Sequence, residues 1–323
     1  MVMDMAKSLD IKKKKPLSAR KSITPLLFIS PWVIGFLAFT LIPLIFSLVM
    51  SFFNWPVIGK PQFVGLGNYI QMFTKDPQFG KSLLITVKFA ALFVPLNIIV
   101  SLILAILISQ PVKGSGFFRT IFYLPSVVSG VAVSIIWGWI LNSEYGILNY
   151  VLSLIGIEGP RWLSNPNWAM IAMVIASVWG LGTMMLIFYT GLKNIPVELY
   201  EAAAIDGATP LVRFFKITLP LLSPTILFNL ITSTIGALQQ LTLALLLTNG
   251  GPSKATYFYG MYVYNNAFKH FKLGYASANA WFMFIIILGL TALIFKSSSM
   301  WVFYENEVAG KKAKKGGKIN EAI

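Results

Sequence analysis

The sequence predicts an all-α membrane protein with six transmembrane helices and both termini in the cytoplasm. Three observations predict it. The 323 residues are 56% hydrophobic and only 11% charged, against about 25% charged in soluble domains. Six apolar stretches approach the roughly 20 residues that a bilayer crossing needs. The basic residues gather at the chain ends and between alternate stretches, as they do when they orient membrane helices.

Taken in order, residues 1–24 form a basic tail, with Lys12 to Lys15 in a row and then Arg20 and Lys21. The apolar run from Leu26 to Phe53 is too long for a signal-peptide core, and no small-residue cleavage site follows it. It reads as an uncleaved first span behind a solvated cytoplasmic arm. The six segments are about 26–53, 83–109, 117–141, 168–191, 222–247 and 276–295. Pro31, Pro43, Pro95, Pro125 and Pro224 fall within them. Neighbouring helices must re-satisfy the carbonyls that proline frees, so the prolines argue for a packed bundle. Residues 25–300 are the transmembrane domain, and residues 301–323 are a second basic tail ending near KKAKKGGK.

With the N-terminus inside, 18 of the 26 lysines and arginines fall on cytoplasmic segments, including Lys193, Arg213 and Lys216 in the 192–221 loop. The outer loops, about 54–82, 142–167 and 248–275, are rich in aromatics such as Trp55, Tyr69, Tyr145, Tyr150, Trp162, Trp168, Tyr257, Tyr259, Tyr262 and Tyr264. Most read as interfacial anchors.

Composition excludes several chemistries. There is no cysteine and a single histidine, His270, so neither disulfides nor a Cys- or His-based metal centre is expected. No phosphate-binding G-x-x-x-x-G-K-[ST] loop, HExxH or G-x-S-x-G occurs, and no catalytic residue is assigned. The chain reads as no enzyme, with no cofactor of its own. The +15 net charge would suggest nucleic acid in a soluble protein; here membrane lipid is the partner and nucleic acid is not. None of the eleven acidic residues lies in a predicted span. Ion-coupled transporters place carboxylates at membrane depth, so the energy for any transport must come from outside the bundle.

The 192–221 loop concentrates polar and helix-punctuating residues. Asn194 is a candidate N-cap, Pro196 suits a first turn, and Glu198 sits where the helix dipole favours an anion. A short helix over about 196–206 carries Ala202, Ala203 and Ala204, and Gly207 ends it. Thr209 and Pro210 open a second short helix, which Leu219–Pro220 closes. Val197, Leu199 and Tyr200 offer apolar contact and Glu201 a charge, either for a partner protein or for the bundle's own helix ends.

Glu201-Ala202-Ala203, Asp206-Gly207-Ala208 and Ile217-x-Leu219-Pro220 resemble the EAA motif of ABC importer permeases. Phe63 to Tyr69, Phe117-Phe118-Arg119 through Pro125, Thr248 to Pro252 and Gly274-Tyr275-Ala276 resemble the carbohydrate-uptake branch, of maltose and glycerol-phosphate type. The resemblance spans about residues 25–300. It implies a type I importer permease fold in the cell membrane, paired with a second homologous permease. It also implies two ATP-binding-cassette ATPase subunits, which bind the ATP and Mg, and an extracytoplasmic solute-binding protein. Tyr200, Val197, Glu201, Ala202, Ala203, Asp206 and Gly207 would then form the ATPase-coupling helix.

The resemblance to maltose-type members also implies a sugar path along the fifth segment, at Ser233, Ala237, Gln239 and Gln240. The chain departs there from an asparagine-rich pattern. Two adjacent glutamines at membrane depth need partners, which a hydroxyl-rich ligand, water or a neighbouring helix can supply. Asn229, Thr232 and Thr234 share that segment, and Trp179 with Gly182 opens backbone space in the fourth. The function expected is import of a sugar or oligosaccharide by alternating access. The rival readings are an importer of another solute, such as glycerol phosphate, and an ion-coupled secondary transporter.

Overall fold

The computed structural model describes residues 23–56, 58–110 and 113–303. Both basic tails expected from the sequence lie almost wholly outside the described residues. The chain divides into two units, Met1–Val49 and Met50–Ile323. In the first, α1 (Ile23–Phe36) runs through a π-helical turn (Leu37–Leu41) into α2 (Ile42–Met50). Together they give an apolar helix, Leu27–Met50, long enough to cross a membrane.

The second unit opens with a small antiparallel pair, β1 (Phe53–Asn54) on β2 (Gln62–Phe63), and a short α3 (Gly67–Thr74). Next comes α4 (Pro77–Ser109), 33 residues long. Pro77 occupies its first turn, where no N–H is missed, and the Asp76 side chain accepts from the Gln78 N–H at 2.9 Å. Phe89, Asn97, Ser101 and Ala105 of α4 are buried. Small side chains let helix backbones approach closely, which drives association in lipid more than apolar burial does.

The middle of the chain is broken. α5 (Ser115–Val127) meets α6 (Gly130–Ile140) at 102°, and α8 (Pro166–Val178) meets α9 (Gly182–Lys193) at 52°. A short α7 (Ile147–Leu154) lies between these pairs. After α10 (Val197–Ile205) come α11 (Pro210–Arg213), a π-helical turn (Phe214–Thr218) and α12 (Leu219–Leu221). That run meets α13 (Ser223–Leu238) at 65°. A further π-helical turn (Ala244–Thr248) precedes α14 (Tyr259–Phe268) and the long α15 (Leu273–Trp301).

Among the described residues three helices are therefore long and apolar enough to cross alone, and the number reaches six only when each bent pair counts as one span. The third, fourth and fifth apolar segments are not the single helices expected. Each break has a local cause. Ser129 caps α6 by accepting from the Ala132 N–H at 3.4 Å. Gly180 interrupts the fourth segment and Pro224 follows the bend in the fifth. The fifth also stops at Leu238, so Gln239 and Gln240 lie beyond the helix rather than within it. At Gly182 an added Cβ would lie 2.7 Å from the Phe122 carbonyl oxygen, so glycine lets α9 pack against the α5 backbone.

Three other expectations are corrected. Asn194 ends α9 instead of capping α10, whose N-cap is Pro196. The helix opened at Pro210 runs past Pro220 to Leu221. Trp162, Tyr259 and Tyr262 are buried in the fold, whereas Tyr145 and Tyr150 remain exposed.

Tyr259 and Tyr262 belong to a polar clasp at the N-terminal end of α4. Tyr262 Oη donates to Asp76 Oδ2 at 2.7 Å, and Tyr275 Oη donates to the same oxygen at 3.0 Å. Burial acts to raise the Asp76 carboxyl, but the hydrogen bonds from Tyr262, the Gln78 N–H and Tyr275 outweigh it and hold the group below the usual carboxylate range. Burial, with the bonds that Tyr262 donates to Tyr275 and to Asp76, pushes the Tyr262 phenol up. The clasp fastens α14 and α15 to the start of α4.

Candidate functional site

Two regions gather the residues singled out from sequence. The first is α10 with its surroundings. No residue of α10 is buried, and Glu201, Ala202 and Asp206 are exposed. Gly207 has φ of +73°, a left-handed conformation that glycine adopts without strain. It closes a Schellman motif in which the Ala208 N–H reaches the Ala203 carbonyl (2.9 Å) and the Gly207 N–H reaches that of Ala204 (3.1 Å). Thr209 then accepts from the Val212 N–H at 3.4 Å. Tyr200 Oη and Thr218 Oγ1, 2.9 Å apart, tie α10 to the π-helical turn. The result is a short, well-terminated helix held out from the bundle. Its apolar side is led by Ile205, 88% exposed, and Val197, 63% exposed.

The second region is an open cavity of about 540 Å³ lined by α4, α6, α8, α9, the turn between α8 and α9, α13 and the chain just after α13. Its polar lining includes Asn97, Ser177, Asn229, Thr232, Ser233 and Gln240, and no Asp, Glu, Lys or Arg lines it. Asn97 Nδ2 lies 3.5 Å from Ser233 Oγ and 3.7 Å from Met184 Sδ, long contacts that contribute little. Asn97 Oδ1, Ser177 Oγ and both polar atoms of the Asn229 amide are buried without a protein partner. Each such atom costs about 1–3 kcal/mol when left dry. A roomy, mostly apolar cavity with a few uncommitted donors and acceptors is suited to water or a hydroxylated ligand that also has apolar faces.

A family model described as "Binding-protein-dependent transport system inner membrane component" matches residues 98–303. The chain belongs to this family. A protein named "Probable ABC transporter permease protein YesP" from Bacillus subtilis is 43% identical over 91% of this chain and 96% of its own length. The "Trehalose/maltose transport system permease protein MalF" of Thermococcus litoralis is 35% identical, over 84% of this chain and 92% of that one. Among solved structures, a chain of a bacterial ABC transporter involved in the import of the acidic polysaccharide alginate superposes with a TM-score of 0.75. It is 26% identical, covering 86% of this chain and 97% of that one.

In this inner membrane component of a transport system, the residues singled out from sequence lie in two separate places. Val197, Tyr200, Glu201, Ala202, Ala203, Asp206 and Gly207 lie together on and just after α10. Asn229, Ser233, Ala237 and Gln240 line the cavity. Gln239, adjacent in sequence, is exposed and off the wall. Trp179 packs edge-on against Trp137 at 6.1 Å, and Gly182 serves the α5–α9 contact; neither lines the cavity. Asn97, Ser177 and Thr183 do line it, yet sequence reasoning passed over them. Asn97 had a usable signal, as a lone amide midway along an apolar run. Ile205 was missed on α10, where a large apolar residue at the tip of a polar loop was the clue.

Proposed function

We propose that this chain is the membrane-spanning permease subunit of an ABC importer for a neutral sugar or oligosaccharide. The observation that carries the substrate class is the membrane cavity: its polar groups are amides and hydroxyls, and no charged side chain lines it. Neutral hydroxyls can donate to and accept from such groups, whereas an anion would be desolvated there without a cation. The trehalose/maltose relative supports the same class.

In this reading the chain makes six spans, each bent pair forming one, with both termini cytoplasmic. A second homologous permease completes the path, and an external binding protein delivers the sugar. Two ATPase subunits bind ATP and Mg; this chain supplies the path and the lever. ATP binding draws the ATPases together, α10 transmits that motion through Glu201 to Gly207, and the bundle opens outward. Hydrolysis returns it inward. The exposed Glu201, the small Ala202 and the apolar Ile205 suit docking into a cleft.

The test is uptake by the assembled importer across a panel of neutral and acidic oligosaccharides of matched length. Neutral members should be taken up at least about tenfold faster, equivalent to about 1.4 kcal/mol. Preference for the acidic members would overturn the substrate class.

A further inference from the structure

A second cavity, of about 530 Å³, lies between the C-terminal ends of α4 and α9 and the 195–218 loop. Lys193 and Arg213 both line it, together with Ser109, Gln110, Tyr200 and Thr218, and no carboxylate does. Lys193 Nζ donates to the Ser109 carbonyl at 3.2 Å, which satisfies one of its three donors. It also stands 5.9 Å from the centre of the Tyr189 ring. A third cation shares that ring: the Arg119 guanidinium lies 4.1 Å from its centre, and Arg119 Nη2 donates to Tyr189 Oη at 2.6 Å. The Nε–H groups of Arg119 and Arg213 are buried with no partner.

Lys193 and Arg213 thus share one cavity, and Lys193 shares the Tyr189 ring with Arg119; among the described residues no carboxylate lines the cavity, and two guanidinium donors stay uncommitted. Helix C-termini favour nearby cations, which accounts for Lys193 on Ser109. It does not account for an unpaired Arg213 beside it. A planar guanidinium with a nearby ammonium fits phosphate oxygens, and basic pockets between helices at the cytoplasmic face take acidic lipid headgroups.

We propose that the cavity walled by Lys193, Arg213 and Tyr200 binds one phosphate-bearing anion, a lipid phosphodiester or free phosphate. Because Val197 and Tyr200 of α10 form part of the wall, the bound anion braces that helix against the bundle. A lipid of the cytoplasmic leaflet as the source rests on the orientation proposed above; the anion chemistry does not.

The test uses the purified, delipidated full chain, titrated with phosphatidylglycerol or phosphatidylcholine and read by native mass spectrometry. One phosphatidylglycerol should bind tightly, and phosphatidylcholine should not. Lys193→Gln with Arg213→Gln should weaken that binding at least tenfold. Lys113→Gln with Lys216→Gln, the same change of charge outside the cavity, should leave it intact. Inorganic phosphate that displaces the lipid identifies a site open to the free anion; failure to displace it identifies the lipid. Equal lipid binding by both double variants, or equal binding of the two lipids, overturns the proposal. A readout in the unmutated chain guards against misfolded variants: phosphatidylglycerol or phosphate should slow dicarbonyl modification of Arg213 but not of Arg161. Equal slowing or none also overturns it. Neither readout involves uptake, so the result stands apart from that of the sugar-import test.

Discussion

The α10 loop and the membrane cavity place different polar residues in opposite ways: carboxylates on α10, amides and hydroxyls in the cavity. On α10 they face outward, no residue is buried, and the Schellman motif at Gly207 closes the C-terminal end of the helix. In the cavity they face inward, and Asn97, Ser177 and Asn229 keep buried polar atoms without protein partners. In the function proposed above, the exposed helix is the lever that a partner protein pushes, and the under-satisfied interior is the path for a hydroxylated solute.

The largest expected effect breaks the lever. Glu201→Lys with Gly207→Pro should reduce uptake to background while the protein still reaches the membrane. Reversing the charge removes the docking carboxylate, and proline cannot adopt the φ of +73° found at Gly207. Retained ATPase association on affinity purification would count against α10 as the docking helix.

A smaller effect separates path from packing. Asn229→Leu removes two buried atoms that lack partners. Uptake should fall about tenfold, or about 1.4 kcal/mol, while thermal stability in detergent holds or rises. Gln239→Ala, at an exposed position off the cavity wall, should change uptake less than about twofold. Equal losses from the two variants would erase the distinction between wall and surface.

The smallest effect lies at the outer clasp, away from both regions. Asp76→Ala should cost about 1 kcal/mol of stability at neutral pH through the lost helix cap. Because hydrogen bonds hold the Asp76 carboxyl low, the carboxylate's contribution is present above the ordinary value of about 3.9. It is lost as the pH falls through the lower folded value. Thermal unfolding across an acid series should therefore be steeper in the wild type than in Asp76→Ala below about pH 4.

The two regions also differ in how far they could be read from sequence. The α10 loop was legible because its signals are local: Gly207 after a run of alanines, then Thr209-Pro210, then Leu219-Pro220. The N-cap was misplaced, since Asn194 belongs to the end of α9, and the second helix runs on to Leu221 instead of closing at Leu219–Pro220. The cavity is assembled across the chain, with Asn97 and Ser233 separated by 136 positions. An apolar run has the same composition whether its helix is straight or bent, so the 102° turn after Val127 left little trace beyond Pro125 and Ser129. Within α13, adjacency suggested that Gln239 and Gln240 act together, but the helix ends at Leu238 and only Gln240 reaches the wall.

The most direct measurement is sugar accumulation in proteoliposomes holding the assembled importer and its binding protein, driven either by enclosed ATP or by a proton or sodium gradient alone. Accumulation is expected with ATP, none with the gradients, and none in either case for Glu201→Lys with Gly207→Pro. Gradient-driven accumulation, or full ATP-driven uptake by that double variant, would contradict it.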